Sequence, residues 1–181
     1  WPDLSRDGSV LVFQSARAGL VPGDTDAFSD VFAYHRATGV LERVSGPRAG
    51  VASTGPSHSA TVSADGRFVA FESASSMLVS GDTNDASDIF IADLQREELR
   101  RVSSSGSGEQ GDGSSSMPRL SRDGRYVVFT STASNLVDAS PPRGDSGVYI
   151  RELDTDSIRL ADSGLRALGI RVNSARPAVS P

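Results

Sequence analysis

The sequence predicts an all-β protein in which one four-stranded antiparallel unit is used three times, and three observations predict it. The segment LSRDGSVLVFQSA, starting at Leu4, recurs as VSADGRFVAFESA from Val62 and as LSRDGRYVVFTST from Leu120. The Asp-Gly pairs Asp7-Gly8, Asp65-Gly66 and Asp123-Gly124 follow one another at intervals of 58 residues, and other anchors keep step: Phe13, Phe71 and Phe129; Leu20, Leu78 and Leu136; Val44, Val102 and Leu160. No segment shows the periodicity of an amphipathic helix, whereas each repeat contains four β-like stretches. A sheet that is apolar on both faces and recurs at a fixed period hides those faces only by stacking on its neighbours. That is the plan of a β-propeller of four-stranded blades.

The elements follow in order. WPDLS is a short strand with its proline near the start, where a missing N–H is tolerated. Arg6-Asp7-Gly8 is a turn in which glycine supplies a positive φ. VLVFQS, from Val10 to Ser15, is a continuous apolar run suited to a strand buried on both faces. After a polar loop, DVFAYHR from Asp30 alternates, Ala37-Thr38-Gly39 turns, and VLERVS completes a hairpin. The second repeat supplies DIFIADL from Asp88 and LRRVS from Leu99, and the third GVYIREL from Gly147 and IRLAD from Ile158. Phe13, Phe71, Phe129, Phe32, Phe90 and Tyr149 are the expected filling between blades. A solenoid rung is shorter, roughly 20–30 residues, and a sandwich does not repeat its turns at a fixed period. The whole chain, 1–181, therefore reads as one propeller segment: blades over 1–59, 60–117 and 118–176, and the start of a fourth over 177–181. The stretch Ser103–Ser116 has the composition of a flexible linker, but its place in the period makes it an inter-blade loop. Residues 164–175 depart from the pattern.

The run PRLSRDGRYVVF, Pro118 to Phe129, fits P-x-x-S-x-D-G-x-x-V-x-F and resembles the propeller repeat of TolB-like proteins across nearly the whole chain. Such blades occur in periplasmic binding proteins, in gating domains of peptidases and in a few lyases. The lack of a catalytic constellation and the loop-rich acidic blades predict a non-catalytic binding or scaffold module, outside the cytoplasm, presenting loops to a protein, peptide or glycan. The alternative is an accessory gating propeller of a larger hydrolase or peptidase. Propellers close with roughly four to eight blades. Three blades imply an incomplete or oligomer-completed ring: part of a longer ring, two copies paired as six blades, or a terminal strand completing an existing blade. Open blade edges are expected to favour self-association.

Composition narrows the partners. All 18 basic residues are arginine, and the formal charge is −5, which favours neither nucleic acid nor an anionic membrane surface. The absence of cysteine excludes disulfides, thiolate catalysis and Cys-ligated zinc. No apolar run approaches the ~20 residues that insertion as a membrane helix needs. The opening WPDLSRDG carries no signal-peptide pattern, and Trp1 is expected to pack on a blade edge.

The loop between the second and third strands carries the most specific chemistry. Repeat one reads GDTDAFSD, with Asp24, Asp26 and Asp30; repeat two reads GDTNDASD, with Asp82, Asn84 and Asp88. Oxygen ligands at such spacing can wrap a calcium ion, which takes about six to eight oxygens. The same residues also suit Asx-turns and strand starts, with no ion. Repeat three keeps Asp138 and Asp145 but loses the spacing. His35 is expected on a strand facing outward and His58 in a loop; neither forms a catalytic constellation, and no Gly-x-Ser-x-Gly elbow occurs. Glu97 and Glu98 fall in a hairpin turn as solvated charge.

Overall fold

A computed structural model describes residues 2–46, 53–142 and 145–161. Trp1, the irregular segment 164–175 and the start of a fourth blade at 177–181 lie outside the described residues. The first blade orders β1 (Asp3–Leu4), β2 (Val10–Ser15), β3 (Asp30–His35) and β4 (Val40–Arg43) side by side. The second does the same with β5 (Ser57–Val62), β6 (Phe68–Ser73), β7 (Asp88–Asp93) and β8 (Glu98–Arg101). The third uses β9 (Ser115–Leu120), β10 (Tyr126–Ser131), β11 (Gly147–Glu152) and β12 (Ile158–Leu160). All pairings are antiparallel. The result is three consecutive blades of an unclosed β-propeller.

Sheets two and three begin at Ser57 and Ser115, each three residues ahead of the boundary drawn from the repeat. The inner strand runs upstream of the repeated motif through a register shift, and Ser59 and Met117 sit at positive φ, 58° and 55°. His58 is therefore on β5 opposite Glu72, rather than in a loop.

Blade two shows why the repeat must stack. Its Val69, Phe71, Phe90 and Ala92 join Val10, Val12, Val31 and Ala33 of blade one in one core. Its Ala70, Ile89 and Ile91 join Val127, Phe129, Leu136 and Tyr149 of blade three in another. The two sets alternate along β6 and β7, as a strand's two faces must. The aromatics fill these spaces as stacked pairs within each blade. Phe13 lies on Phe32 and Phe71 on Phe90, both at 5.7 Å between centroids, and Phe129 lies on Tyr149 at 5.8 Å. Each fully buried ring contributes about 1.5–3 kcal/mol of transfer free energy.

The S-x-D-G turn is a small hydrogen-bonding device. In blade three the Ser121 hydroxyl donates to Asp123 and accepts the Tyr126 N–H at 2.9 Å, while Asp123 accepts the Arg125 N–H at 3.1 Å. Blades one and two repeat this at Ser5/Asp7 and Ser63/Asp65. These bonds favour the ionised acid: the Ser9 N–H, then the Ser9 and Ser5 hydroxyls, lower the Asp7 pKa to about 2. The turns also link the blades. The Arg6 N–H donates to the Ala64 carbonyl at 3.0 Å, and the Ala64 N–H to the Arg122 carbonyl at 2.8 Å.

The turn glycines differ in how closely a preceding blade packs on them: a Cβ on Gly124 would meet Phe68 of blade two at 2.8 Å. Gly8 and Gly66 both hold positive φ, 68° and 73°. A methyl group on Gly66 would meet Val10 Cγ2 of blade one at 2.7 Å, whereas one on Gly8 meets nothing closer than 3.7 Å. Gly8→Ala is expected to cost about 1 kcal/mol, for left-handed strain alone. Gly66→Ala is expected to cost about 2–4 kcal/mol, because overpacking adds to that strain. Urea unfolding of the two variants checks the order.

The Ser/Gly-rich connection from Ser103 to Ser116 is pinned, contrary to its linker-like composition. Ser103, Ser104, Ser105 and Ser115 are buried, and Ser104 bridges Gln110. Asp112 accepts the Ser134 N–H and hydroxyl at 2.6 Å each, and Asn135 donates to the Gln110 carbonyl at 2.8 Å. A Cβ on Gly113 would lie 2.8 Å from the Ala133 nitrogen, so only glycine lets this backbone approach so closely.

Candidate functional site

The acidic loops converge as expected in blade one. Asp24, Asp26 and Asp30 each bring an oxygen within 4.8 Å of the others. A cationic group already faces them: the Arg43 guanidinium lies 3.3 Å from Asp30, 3.9 Å from Asp24 and 4.0 Å from Asp26. It also donates to the Gly23 carbonyl at 3.3 Å, and its side chain is almost fully buried. The Ser45 hydroxyl donates to Asp30 at 2.7 Å and accepts the Val31 N–H at 2.9 Å. Asp26 accepts the Phe28 N–H, an Asx-turn bond, and the Ser53 N–H from the inter-blade connection at 3.1 Å. Burial raises the Asp30 pKa above the ordinary carboxylate value, outweighing the bonds from Ser45 and Arg43.

Blade two repeats the arrangement with different ties. Arg101 lies 3.4 Å from Asp88 and 3.6 Å from Asp82, and donates to the Gly81 carbonyl at 3.3 Å. Ser103 bonds Asp88 and accepts the Ile89 N–H. Asn84 is tied to the inter-blade connection. Its amide donates to the Gly111 carbonyl at 2.8 Å, and its oxygen accepts the Ala86 N–H. Asp82 accepts from Gln110 at 2.9 Å. Burial is the leading cause that raises both Asp82 and Asp88.

Blade three explains what the network replaces. The Asp30/Asp88 position is Gly147, and the Arg43/Arg101 position is Leu160, since Tyr149 pairs with Leu160 as Phe90 pairs with Arg101. Ala161, not Leu160, takes the place of Val102: its N–H bonds the Val148 carbonyl as that of Val102 bonds Ile89. The expected equivalence of Val44, Val102 and Leu160 is thus shifted by one residue. A Cβ on Gly147 would meet Leu160 at 2.8 Å, and Pro141 and Tyr149 at 3.1 Å. An apolar plug fills the space that a buried ion-pair knot fills in the other two blades. Sequence reasoning missed Arg43, Ser45, Arg101 and Ser103. The signal was the triplet Arg-Val-Ser at 43–45 and 101–103, present where the acidic spacing is present and replaced by Leu-Ala-Asp at 160–162 where it is lost.

A second feature lies along the innermost strands, where β1, β5 and β9 approach one another. A cleft of about 440 Å³ is lined by Asp3, Ser59, Ala60, Thr61, Met117 and Arg119, with Pro2 at its rim. The strained backbone of Ser59 and Met117 is held from the preceding blade in each case. The Ser59 N–H donates to Gln14 at 3.3 Å, and the Met117 N–H to Glu72 at 3.2 Å. Met117 remains exposed. Glu72 also pairs with His58 at 3.2 Å, and this hydrogen bond raises the histidine pKa against the opposing effect of burial. His35, half-buried on β3, pairs with Glu42.

Three solved structures share this architecture. TolB from Acinetobacter baumannii is 16% identical with a TM-score of 0.53, over 88% of this chain and 31% of that one. A putative TolB from Agrobacterium tumefaciens is 22% identical with a TM-score of 0.54, over 88% and 47%. The β-propeller domain of the Trilobed protease from Pyrococcus furiosus is 11% identical with a TM-score of 0.52, over 87% and 40%. The fold is a TolB-like β-propeller. No family model and no curated protein matches the chain. The propeller segment spans less than half the length of each of these three structures. Among its described residues no helix is long and apolar enough to cross a membrane.

Proposed function

We propose that this propeller segment is a non-catalytic binding module that holds a protein or peptide segment in the cleft between its inner strands. The cleft itself carries the reading. Its volume of about 440 Å³ falls in the ordinary range for ligand sites. It sets one acid, Asp3, and one cation, Arg119, around the adaptable side chain of Met117. A peptide offers both charges and apolar groups to such a lining. A glycan is the other ligand class to test, and the resemblance to periplasmic binding propellers supports an activity outside the cytoplasm. The test is fluorescence titration with a labelled peptide library and an oligosaccharide panel. Met117→Asp and Arg119→Glu should each weaken peptide binding about tenfold or more, that is by at least ~1.4 kcal/mol. Equal binding by both variants and wild type would remove the cleft from the account.

Similarity to the Trilobed protease propeller favours a second reading, an accessory propeller of a larger peptidase. An α/β-hydrolase encoded next to this segment would decide for it. We further propose that Arg43 and Arg101, rather than calcium, neutralise the acidic loops. Calorimetry should then show no calcium heat for the wild type, and none for Asp24→Ala with Asp82→Ala. Saturable heat in the wild type alone would restore the metal.

A further inference from the structure

We propose that the cleft between the inner strands takes its peptide by a carboxylate, which Arg119 binds beside the apolar side chain of Met117. This rests on the peptide reading of the cleft and names the group that is recognised there. The repeat itself singles out Arg119. Asp3, Thr61 and Arg119 occupy one position of the three inner strands, at intervals of 58 residues. In blades one and two the residue at that position has a structural task, which is to accept a backbone N–H from the inner strand of the next blade. Asp3 Oδ2 takes the Val62 N–H at 2.9 Å, and Thr61 Oγ1 takes the Leu120 N–H at 3.2 Å. A guanidinium carries donors and no acceptor, so Arg119 cannot perform that task. It lines the cleft instead, and its side chain is exposed.

The other polar groups around the cleft are already engaged. Asp3 uses both oxygens, Oδ1 on the Leu4 N–H at 3.0 Å and Oδ2 on Val62. The Ser59 and Met117 N–H groups are covered by Gln14 and Glu72 of the preceding blades, and Thr61 serves Leu120. A peptide therefore cannot take up these four N–H groups by lying along β5 or β9 as an added strand. Arg119 is the one cation of the lining. Its Nη1 donates to the carbonyl of its own neighbour, Pro118, at 3.1 Å, and among the described residues no acid pairs with it. Its Nε and Nη2 form the other edge of the planar fork, and such an edge holds a carboxylate through two parallel hydrogen bonds. Met117, 40% exposed, supplies adaptable apolar surface in the same lining. The peptide that satisfies both carries a carboxylate next to an apolar side chain. That carboxylate is either the C-terminus of an apolar residue or an acidic side chain beside one.

Calorimetry with three peptides tests this: acetyl-alanyl-leucyl-leucine, its C-terminal amide, and the amide of acetyl-alanyl-glutamyl-leucine. The wild type should bind the free acid about tenfold more tightly than the neutral amide. In Arg119→Gln that ratio should fall to about one. The glutamyl amide identifies the source. Affinity equal to that of the free acid shows that a side-chain carboxylate serves, and affinity equal to that of the neutral amide shows that the chain terminus is the group held. Equal affinity of the wild type for the free acid and both amides would overturn carboxylate recognition. It would leave the peptide reading of the cleft standing, since that reading fails only if no peptide binds or if the Met117→Asp and Arg119→Glu variants bind as the wild type does. A preference for the free acid that persists in Arg119→Gln would overturn the assignment to Arg119. The comparison of the three peptides on the wild type does not depend on any variant folding.

Discussion

Asp88→Ala is expected to lower the unfolding free energy by about 3–5 kcal/mol, the cost of breaking a buried charge pair from one side. Asp88 is fully buried, and its two oxygens serve Ser103 and Arg101. Without it the Arg101 guanidinium, whose Nε has no hydrogen-bond partner among the described residues, keeps among them only the longer contact to Asp82 and the Gly81 carbonyl. Blade three shows that the knot itself is dispensable, because Gly147 and Leu160 fill the same place with apolar packing. Asp88→Gly combined with Arg101→Leu should therefore cost less than Asp88→Ala alone, with a favourable coupling of about 1–3 kcal/mol. Urea unfolding of the single and double variants measures this. A double variant as unstable as the sum of its parts would show that the two positions do not act together.

Arg151→Met is expected to cost about 3 kcal/mol and to loosen blade three from blade two. Among the described residues Arg151 is the largest fully buried side chain, 1% exposed, at the position that is alanine in blade two. Its guanidinium reaches across the interface to the Ser104 carbonyl at 3.0 Å and the Ser105 carbonyl at 3.3 Å, and grips Asp156 at 2.7 and 3.0 Å. Burial alone would raise the Asp156 pKa, but the bonds and charge of Arg151 and Arg100 hold it below the ordinary value. Methionine fills the volume yet takes the guanidinium from the buried Ser104 carbonyl, at about 1–3 kcal/mol, while the Ser105 carbonyl keeps the Gly108 N–H at 3.0 Å. Arg100→Met is the control, since Arg100 meets the same acid from the surface and its loss should cost under about 1 kcal/mol. Unfolding midpoints in urea, with amide exchange at Ser104 and Ser105, separate the two. Equal losses would remove the interface role of Arg151.

The acidic loops show how far sequence reaches. Asp24, Asp26 and Asp30, closely spaced in one loop that ends on β3, come together in blade one. Their spacing does not reveal Arg43, which arrives from β4, the far strand of the same blade. Nor does it reveal that in the second loop the inter-blade connection ties Asn84, whose amide donates to the Gly111 carbonyl. His58 was misplaced for a related reason: the bulge at Ser59 extends β5 upstream, and positive φ at a serine carries no local sequence mark.

The sequence alone determined the blade. Its 58-residue period, the Asp-Gly turns and the doubly apolar second and third strands are local properties of a strand and its turns, and they are repeated until chance is excluded. Tertiary structure decided which charges neutralise the acidic loops and which glycines are crowded. Those outcomes depend on side chains brought together from distant strands and neighbouring blades, a proximity that only the stacking of whole sheets creates.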